Sequence, residues 1–292
     1  NGGFFYVVAL TLVIKHPLRL SIMTVTMMTT TVTTMNNGAS SRDDDCRFLG
    51  DYASYMLGCG ATCERITRNV ARMANAVGAK ADLMILPSHI VVTLIDNCSG
   101  ERCQCSTART SVPVSYNINT RLSNLSWRVA EGRCSMSHAR RLFGRIINIK
   151  PVNVWQVMWL VVIANASFCR LFGGDVTAMG IVALATMLGY SLKNILMSHH
   201  VDGKAVFLFC SFVSAVTATA GHVFSLSSTP DVALATSVLY LIPGIPYINS
   251  VSDLLTGHYL CSLSRFIDAA LLTACIALGL TGAFFIMNLK VF

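Results

Sequence analysis

An α-helical polytopic membrane protein, with about five transmembrane helices behind an N-terminal soluble α+β domain, is the fold class this sequence predicts, and three observations lead to it. Of its 292 residues, 53% are hydrophobic and only 12% charged, against roughly a quarter charged in an ordinary soluble domain. The charges are segregated: residues 36–150 hold fifteen of the 22 Lys and Arg and nine of the 14 Asp and Glu, while residues 151–292 hold five of each. Beyond Pro151 the chain becomes a series of apolar runs, each close to the roughly 20 residues a helix needs to cross a hydrocarbon core of about 30 Å.

Three parts follow from this division: residues 1–35 as a tail or upstream segment without expected structure, 36–150 as a cytosolic α+β domain, and 151–292 as a five-helix transmembrane domain. The apolar stretch FFYVVALTLVI at 4–14 is too short to span, and no basic segment precedes it as a signal peptide requires. In the soluble part, Phe48, Tyr52, Tyr55, Met56, Cys59, Ile66, Val70, Met73 and Val77 recur at steps of three and four. That spacing predicts one amphipathic helix from Asp45 to Val77, ending at Gly78. The segments DLMILP, HIVVTLID and RCQCSTART read as a small sheet, and Ile118–Ala130 and Ser135–Ile147 as two further helices.

The apolar runs place spans at 153–172, 175–197, 204–226, 231–248 and 266–288. Basic residues are retained on the cytoplasmic side. With the Arg-rich domain inside, the joints carrying Lys193, Lys204 and Arg265 are also inside, and the LFGGD and SLSSTPD turns and Lys290 fall outside. The expected localisation is the cytoplasmic membrane, multi-pass, N-terminus in and C-terminus out. The net charge of +8 is gathered just before the first span, where it suits membrane lipid head groups, and it lacks the aromatic interleaving of a nucleic-acid binder.

Ionisable and amide side chains are costly inside a membrane, so each one there is a candidate. Asn165 falls in the middle of the first span, serving either helix packing or substrate binding. Asp268 lies three residues after Arg265 and is either a coupling carboxylate or its local partner. Left to themselves, Asn165 and Asp268 would face lipid unless a further set of helices covered them. His222 is either interfacial or proton-handling. The stretch PGIPYINSVSDLLTGHY at 243–259 is the most informative. Pro243 and Pro246 remove two amide donors within four residues and Gly244 adds freedom, so the helix must break there. A break frees backbone groups for substrate or ions, and a new helix starting near Asn249–Ser252 attracts a carboxylate; a plain helix end is the alternative. Asp253 caps the following segment or takes part in ion coupling.

Other chemistries find little support. No HExxH, GxSxG or phosphate-binding loop occurs, and the His199–His200 pair reads as a solvated joint. The eleven cysteines lack the paired spacing of a zinc site, so reduced thiols are expected, with no metal and no cofactor.

Four stretches in order resemble the threonine/serine exporter family (ThrE/YjjP type): GDYASYMLGCGATCERITRNVARMANAVG, LSWRVAEGRCSMSHARRLFGRI, ANASFCRLFGGD and PGIPYINSVSDLLTGHYLCSLSR. The last is similar to the family's PGxPxINxxxDLxxGxYxxGxxR signature. The resemblance implies proton-gradient-driven export of small solutes, threonine/serine-like amino acids first and succinate-like dicarboxylates as the alternative. It also implies a long subunit that needs a short five-span partner subunit or self-association. The bundle pathway would then use Asn165, Pro243, Gly244, Pro246, Asn249, Asp253 and Asp268. A membrane-anchored sensory or scaffolding module is the reading from another class.

The orientation is directly testable. In a cysteine-free chain, a single thiol near Ser228 should react with an impermeant reagent added outside, and one near Lys193 should not. The reverse labelling would invert the topology.

Overall fold

The computed structural model of the chain describes residues 41–149, 152–223 and 227–287. The tail expected over residues 1–35 lies outside them. Where periodicity predicts one helix from Asp45 to Val77, the structure has two, α1 (Ser41–Gly58) and α2 (Cys63–Ala76). The apolar spacing continues through both, but the backbone turns at Gly60, whose φ of +86° is one that glycine adopts at no steric cost. Thr62 then caps α2, its side-chain oxygen accepting the Arg65 amide.

Strands β1 (Ala79–Ile85), β2 (His89–Asp96) and β3 (Arg102–Ala108) form an antiparallel sheet in the order β1-β2-β3. Ala79 pairs with Asp96 and His89 with Ala108, which turns Ile90, Val92 and Leu94 to the buried face. They share a core with Leu49, Tyr52, Met56, Ile66 and Val70 of α1 and α2. Helices α3 (Tyr116–Ala130) and α4 (Met136–Ile147), capped by Ser115 and Ser135, add Leu122, Leu125 and Ala139 to it. The Tyr52 hydroxyl donates to Leu122 O at 2.8 Å and accepts from Asn69 at 3.2 Å, so its burial leaves no open polar group. Burial pushes the Cys59 thiol up to about 11, which keeps it protonated at neutral pH, a small hydrophobe. Cys261, from the last helix of the chain, belongs to this same core.

Helices α5 (Val154–Leu171), α6 (Val176–Ser198) and α7 (Gly203–Val223) are long and apolar enough to cross a membrane. The span expected at 231–248 is not one helix. It is α8 (Pro230–Ser237), a 3-10 turn (Leu239–Leu241) and α9 (Gly244–Leu255), with a bend of 63° between the halves. The span expected at 266–288 starts earlier, as α10 (Tyr259–Ile286). Among the described residues four helices can therefore cross the membrane, with a fifth span if the bent pair counts as one. Lys193, expected in the joint between spans two and three, sits inside α6 with its ammonium 5.1 Å from the Phe207 ring centroid; the joint itself is His199–Asp202. The side chain of His222 lies outside the described residues.

Small residues let these helices approach closely, as packing in lipid demands. Ala178, Val182, Ala185 and Gly189 make the buried stripe of α6, and Ala269, Ile276, Gly279 and Ala283 that of α10. Gly279 lies against Leu208, Ser211 and Phe212 of α7, and Gly282 against Phe212, so the two helices run the same way. Tyr259 is twenty residues before Gly279, whereas Gly203 is only five to nine before that contact. The first part of α10 thus extends past the start of α7 by roughly 16–22 Å.

A Cβ on Gly279 would meet Leu208 O at 2.5 Å. Gly279→Leu should therefore part α7 from α10 at a cost of about 1–3 kcal/mol. A thermal-shift assay in detergent should register a clear loss of stability, while the control Ala274→Ser, at an exposed position of the same helix, should not.

Candidate functional site

The break begins with geometry that the two prolines impose. Pro243 cannot donate an amide to continue the preceding turn, and α9 starts at Gly244, five residues before Asn249 and so upstream of the Asn249–Ser252 start that the sequence suggests. Gly244 donates its amide to Ile242 O at 2.9 Å, and Pro246 has none, so of the first three helical residues only Ile245 can donate toward a ligand. A cavity of about 440 Å³ runs beside the other half of the bend, lined by Asp231, Val232, Ala235, Thr236 and Leu239 with Phe172 at the end of α5.

Asn165 joins this half. Its amide donates to Thr186 Oγ1 of α6 at 2.6 Å and to Thr236 O of α8 at 3.1 Å, and it is buried. The expectation that Asn165 would need a further helix set to cover it is therefore corrected: two neighbours within the chain satisfy it. One turn beyond Thr236, Tyr240 shares a hydrogen bond with Ser214 of α7 at 3.0 Å, and Ser214 also bonds Ala185 O of α6. The α8 half of the broken span is held by these polar contacts from α5 and α7, which α6 in turn braces.

The α9 half is held by the N-terminal α+β part of the chain. Asp253, fully buried, accepts the Cys63 amide on Oδ1 at 2.8 Å, which places a carboxylate on the N-terminus of α2. Its Oδ2 lies 3.3 Å from Arg265 Nη1 of α10, an ion pair without hydrogen-bond alignment, since both atoms are buried and lack a hydrogen-bond partner. Arg265 Nη2 donates instead to Ala61 O at 2.8 Å, and Asn249 Nδ2 donates to Gly60 O at 2.8 Å. The Gly60–Cys63 loop is thus gripped by Asn249, Asp253 and Arg265 together. A mutual pair, Ser250 to Ser262 O and Ser262 to Ser250 O at 2.9 and 2.8 Å, fixes α9 to α10. Beside the loop the Cys63 thiol hydrogen-bonds that of Cys261. That bond first and burial second push the Cys63 thiol above its ordinary range, so it stays protonated.

These contacts revise two expectations. Asp253 does not cap the segment that follows it; it caps α2, 190 residues earlier. Arg265 does not pair with Asp268; it turns to Asp253 and Ala61. Asp268 is left exposed on α10, whereas Asn249, Asp253 and Asn165 are buried. Gly60, Ala61, Cys63 and Arg265 are site residues that sequence reasoning does not reach. The only available signal is the place of Arg265 in the PGIP stretch, since no periodicity links positions so far apart. Among the described residues no three His, Cys, Asp or Glu side chains gather as metal ligands.

A family model described as "Putative threonine/serine exporter" matches residues 47–287. Among curated proteins, one from Klebsiella aerogenes named "Probable succinate transporter subunit YjjP" is 27% identical over 245 residues, 82% of this chain and 92% of its own length. A protein of the same name from Escherichia coli K12 is 32% identical over 151 residues, 50% of this chain and 58% of its own. No solved structure matches.

The grip on the Gly60–Cys63 loop should be measurable as a coupling. Asp253→Asn and Arg265→Gln should each destabilise the chain by about 3–5 kcal/mol, because each strands one buried charge. The double variant should cost clearly less than the sum. Proteolytic nicking between α1 and α2 reads the effect, and strict additivity would mean the two side chains act separately.

Proposed function

The chain belongs to the threonine/serine exporter family, and on that footing we propose that it is one subunit of a secondary transporter exporting small carboxylate-bearing solutes across the cytoplasmic membrane. The observation that carries the reading is the 63° break in the fourth apolar segment, because irregular backbone at membrane depth is tolerated where it lines a path or is buried in protein. One half of the break adjoins the 440 Å³ cavity, and the other is bound to the N-terminal domain through Asn249 and Asp253, beside Arg265 of α10. Movement of that domain is thereby transmitted to the α9 half. The soluble domain lies on the cytoplasmic side in this reading, following the basic residues before α5.

Threonine- or serine-like amino acids are the substrates the family description supports. The names of the two relatives favour a second reading, a succinate-like dicarboxylate. Those names also include the word subunit, which supports a short five-span partner or a second copy completing the pathway. Asn165, Pro243, Gly244, Pro246, Asn249 and Asp253 line or set the path in this proposal. Asp268, exposed on α10, is the carboxylate assigned to proton coupling. A sensory or scaffolding module is the alternative, and it would need the break only as backbone buried in protein.

Efflux of labelled threonine, serine and succinate from vesicles holding the chain with its partner is the test. Pro243→Ala/Pro246→Ala restores two amides and removes ring clashes worth about 3 kcal/mol each in a helix interior, so insertion should survive and efflux should fall at least tenfold. Asp268→Asn should remove the dependence on the proton gradient more than it affects substrate binding. Wild-type efflux by the straightened variant would make the break a mere helix end.

A further inference from the structure

The soluble domain carries a second feature that transport does not use. Between α3 and α4 lies a cavity of about 540 Å³, within the size range of small-molecule sites. Three guanidinium groups border it: Arg121 and Arg128, two turns apart on α3, and Arg145 on α4, with Asn124 beside them. Its floor is apolar, made by Leu142, Ile146 and Ile149. No carboxylate lines it. The ion pairs of this domain lie elsewhere, Glu64 with Arg68, Glu131 with Arg133 and Asp45 with Arg140. Arg121 bonds only the amide oxygen of Asn117, and among the described residues Arg128 and Arg145 have no hydrogen bond or ion pair.

Three cations bordering one cleft without a counter-charge suit an anion, and the guanidinium fork suits a phosphate. The apolar floor asks for a ligand whose charge is joined to a hydrophobic part. Location supplies the rest. Ile149 stands five residues before Val154, the first residue of α5, a connection that reaches at most about 18 Å when extended. Val152 in that connection and Val154, Trp155 and Trp159 in the first turns of α5 are exposed, and tryptophan at the end of a span marks the head-group layer. We propose that the α3–α4 cleft holds the phosphate of an anionic phospholipid from the adjoining leaflet, its acyl side resting on Leu142, Ile146 and Ile149. The site is independent of which solute the chain exports and of the orientation of the bundle.

The full chain, purified in neutral detergent, can be titrated with phosphatidylglycerol, phosphatidylcholine or inorganic phosphate, with retained ligand read by native mass spectrometry. Phosphatidylglycerol should bind roughly tenfold or more tightly than phosphatidylcholine, and Arg128→Gln/Arg145→Gln should remove that preference. Lys80→Gln/Arg102→Gln deletes the same charge from exposed positions on the sheet and should leave the preference intact. Equal loss in both double variants would reduce the effect to diffuse charge and overturn the site. Displacement of the lipid by millimolar inorganic phosphate would overturn the lipid assignment in favour of a free anion. An unchanged preference in Arg128→Gln/Arg145→Gln would overturn the proposal outright.

Discussion

A carboxylate with no exposed surface keeps its charge only if donors meet it inside the protein, and Asp253 is met from two directions. The N-terminus of α2 offers the Cys63 amide, and α10 offers Arg265. The first of these partners lies 190 residues away along the chain, so the contact fixes how α2 sits against the second half of a broken span. The buried arginine needs its own acceptor and finds Ala61 O. The two charges and the loop between Gly60 and Cys63 therefore form one unit, and removing a member leaves a buried group unmatched. The inclusion of Cys261 in the core built by α1, α2 and the sheet follows from the same arrangement.

How much of this is legible in the sequence depends on the range of the signal. Local patterns read well: the strands at 89–96 and 102–108, the two helices that follow them and a break at Pro243 are all short-range consequences of residue type. The α1–α2 boundary is hidden because the apolar spacing persists across it, although Gly58, Gly60 and Thr62 stand in the sequence as a stop, a turn and a cap. The partners of Asp253 and Asn165 are illegible, since a hydrogen bond between residues 63 and 253, or 165 and 236, leaves no trace in local spacing. Arg265 and Asp268 resemble a helix pair from their separation alone. Burial of Arg265 against a different carboxylate decides the matter.

The polar groups of the bundle divide into two kinds. Asn165, Thr186, Ser214 and Tyr240 are used up within the chain, tying α5, α6, α7 and the α8 half together. On the other side of the bend, α9 and the first part of α10 present Ile248, Val251, Leu255, Leu260, Leu263 and Ile267 outward, with Asp268 among them. One half of the broken span is thus embedded in its own bundle. The other half faces away from it, fastened to α10 and to the N-terminal α+β part of the chain.

The overhang of α10 gives that second half a mechanical advantage. Gly279 is the close fulcrum against α7, and Arg265 stands fourteen residues away along a rigid rod. Over such a lever arm, roughly 21 Å long, a tilt of about 10° at the fulcrum carries the guanidinium by roughly 4 Å. Because the Ser250–Ser262 pair fixes α9 to α10, Asp253 travels with Arg265, and the sweep falls on the bonds that both make to the Gly60–Cys63 loop. Any tilt of α10 about Gly279 would therefore be felt first at the Gly60–Cys63 loop, far from the small-residue seam itself.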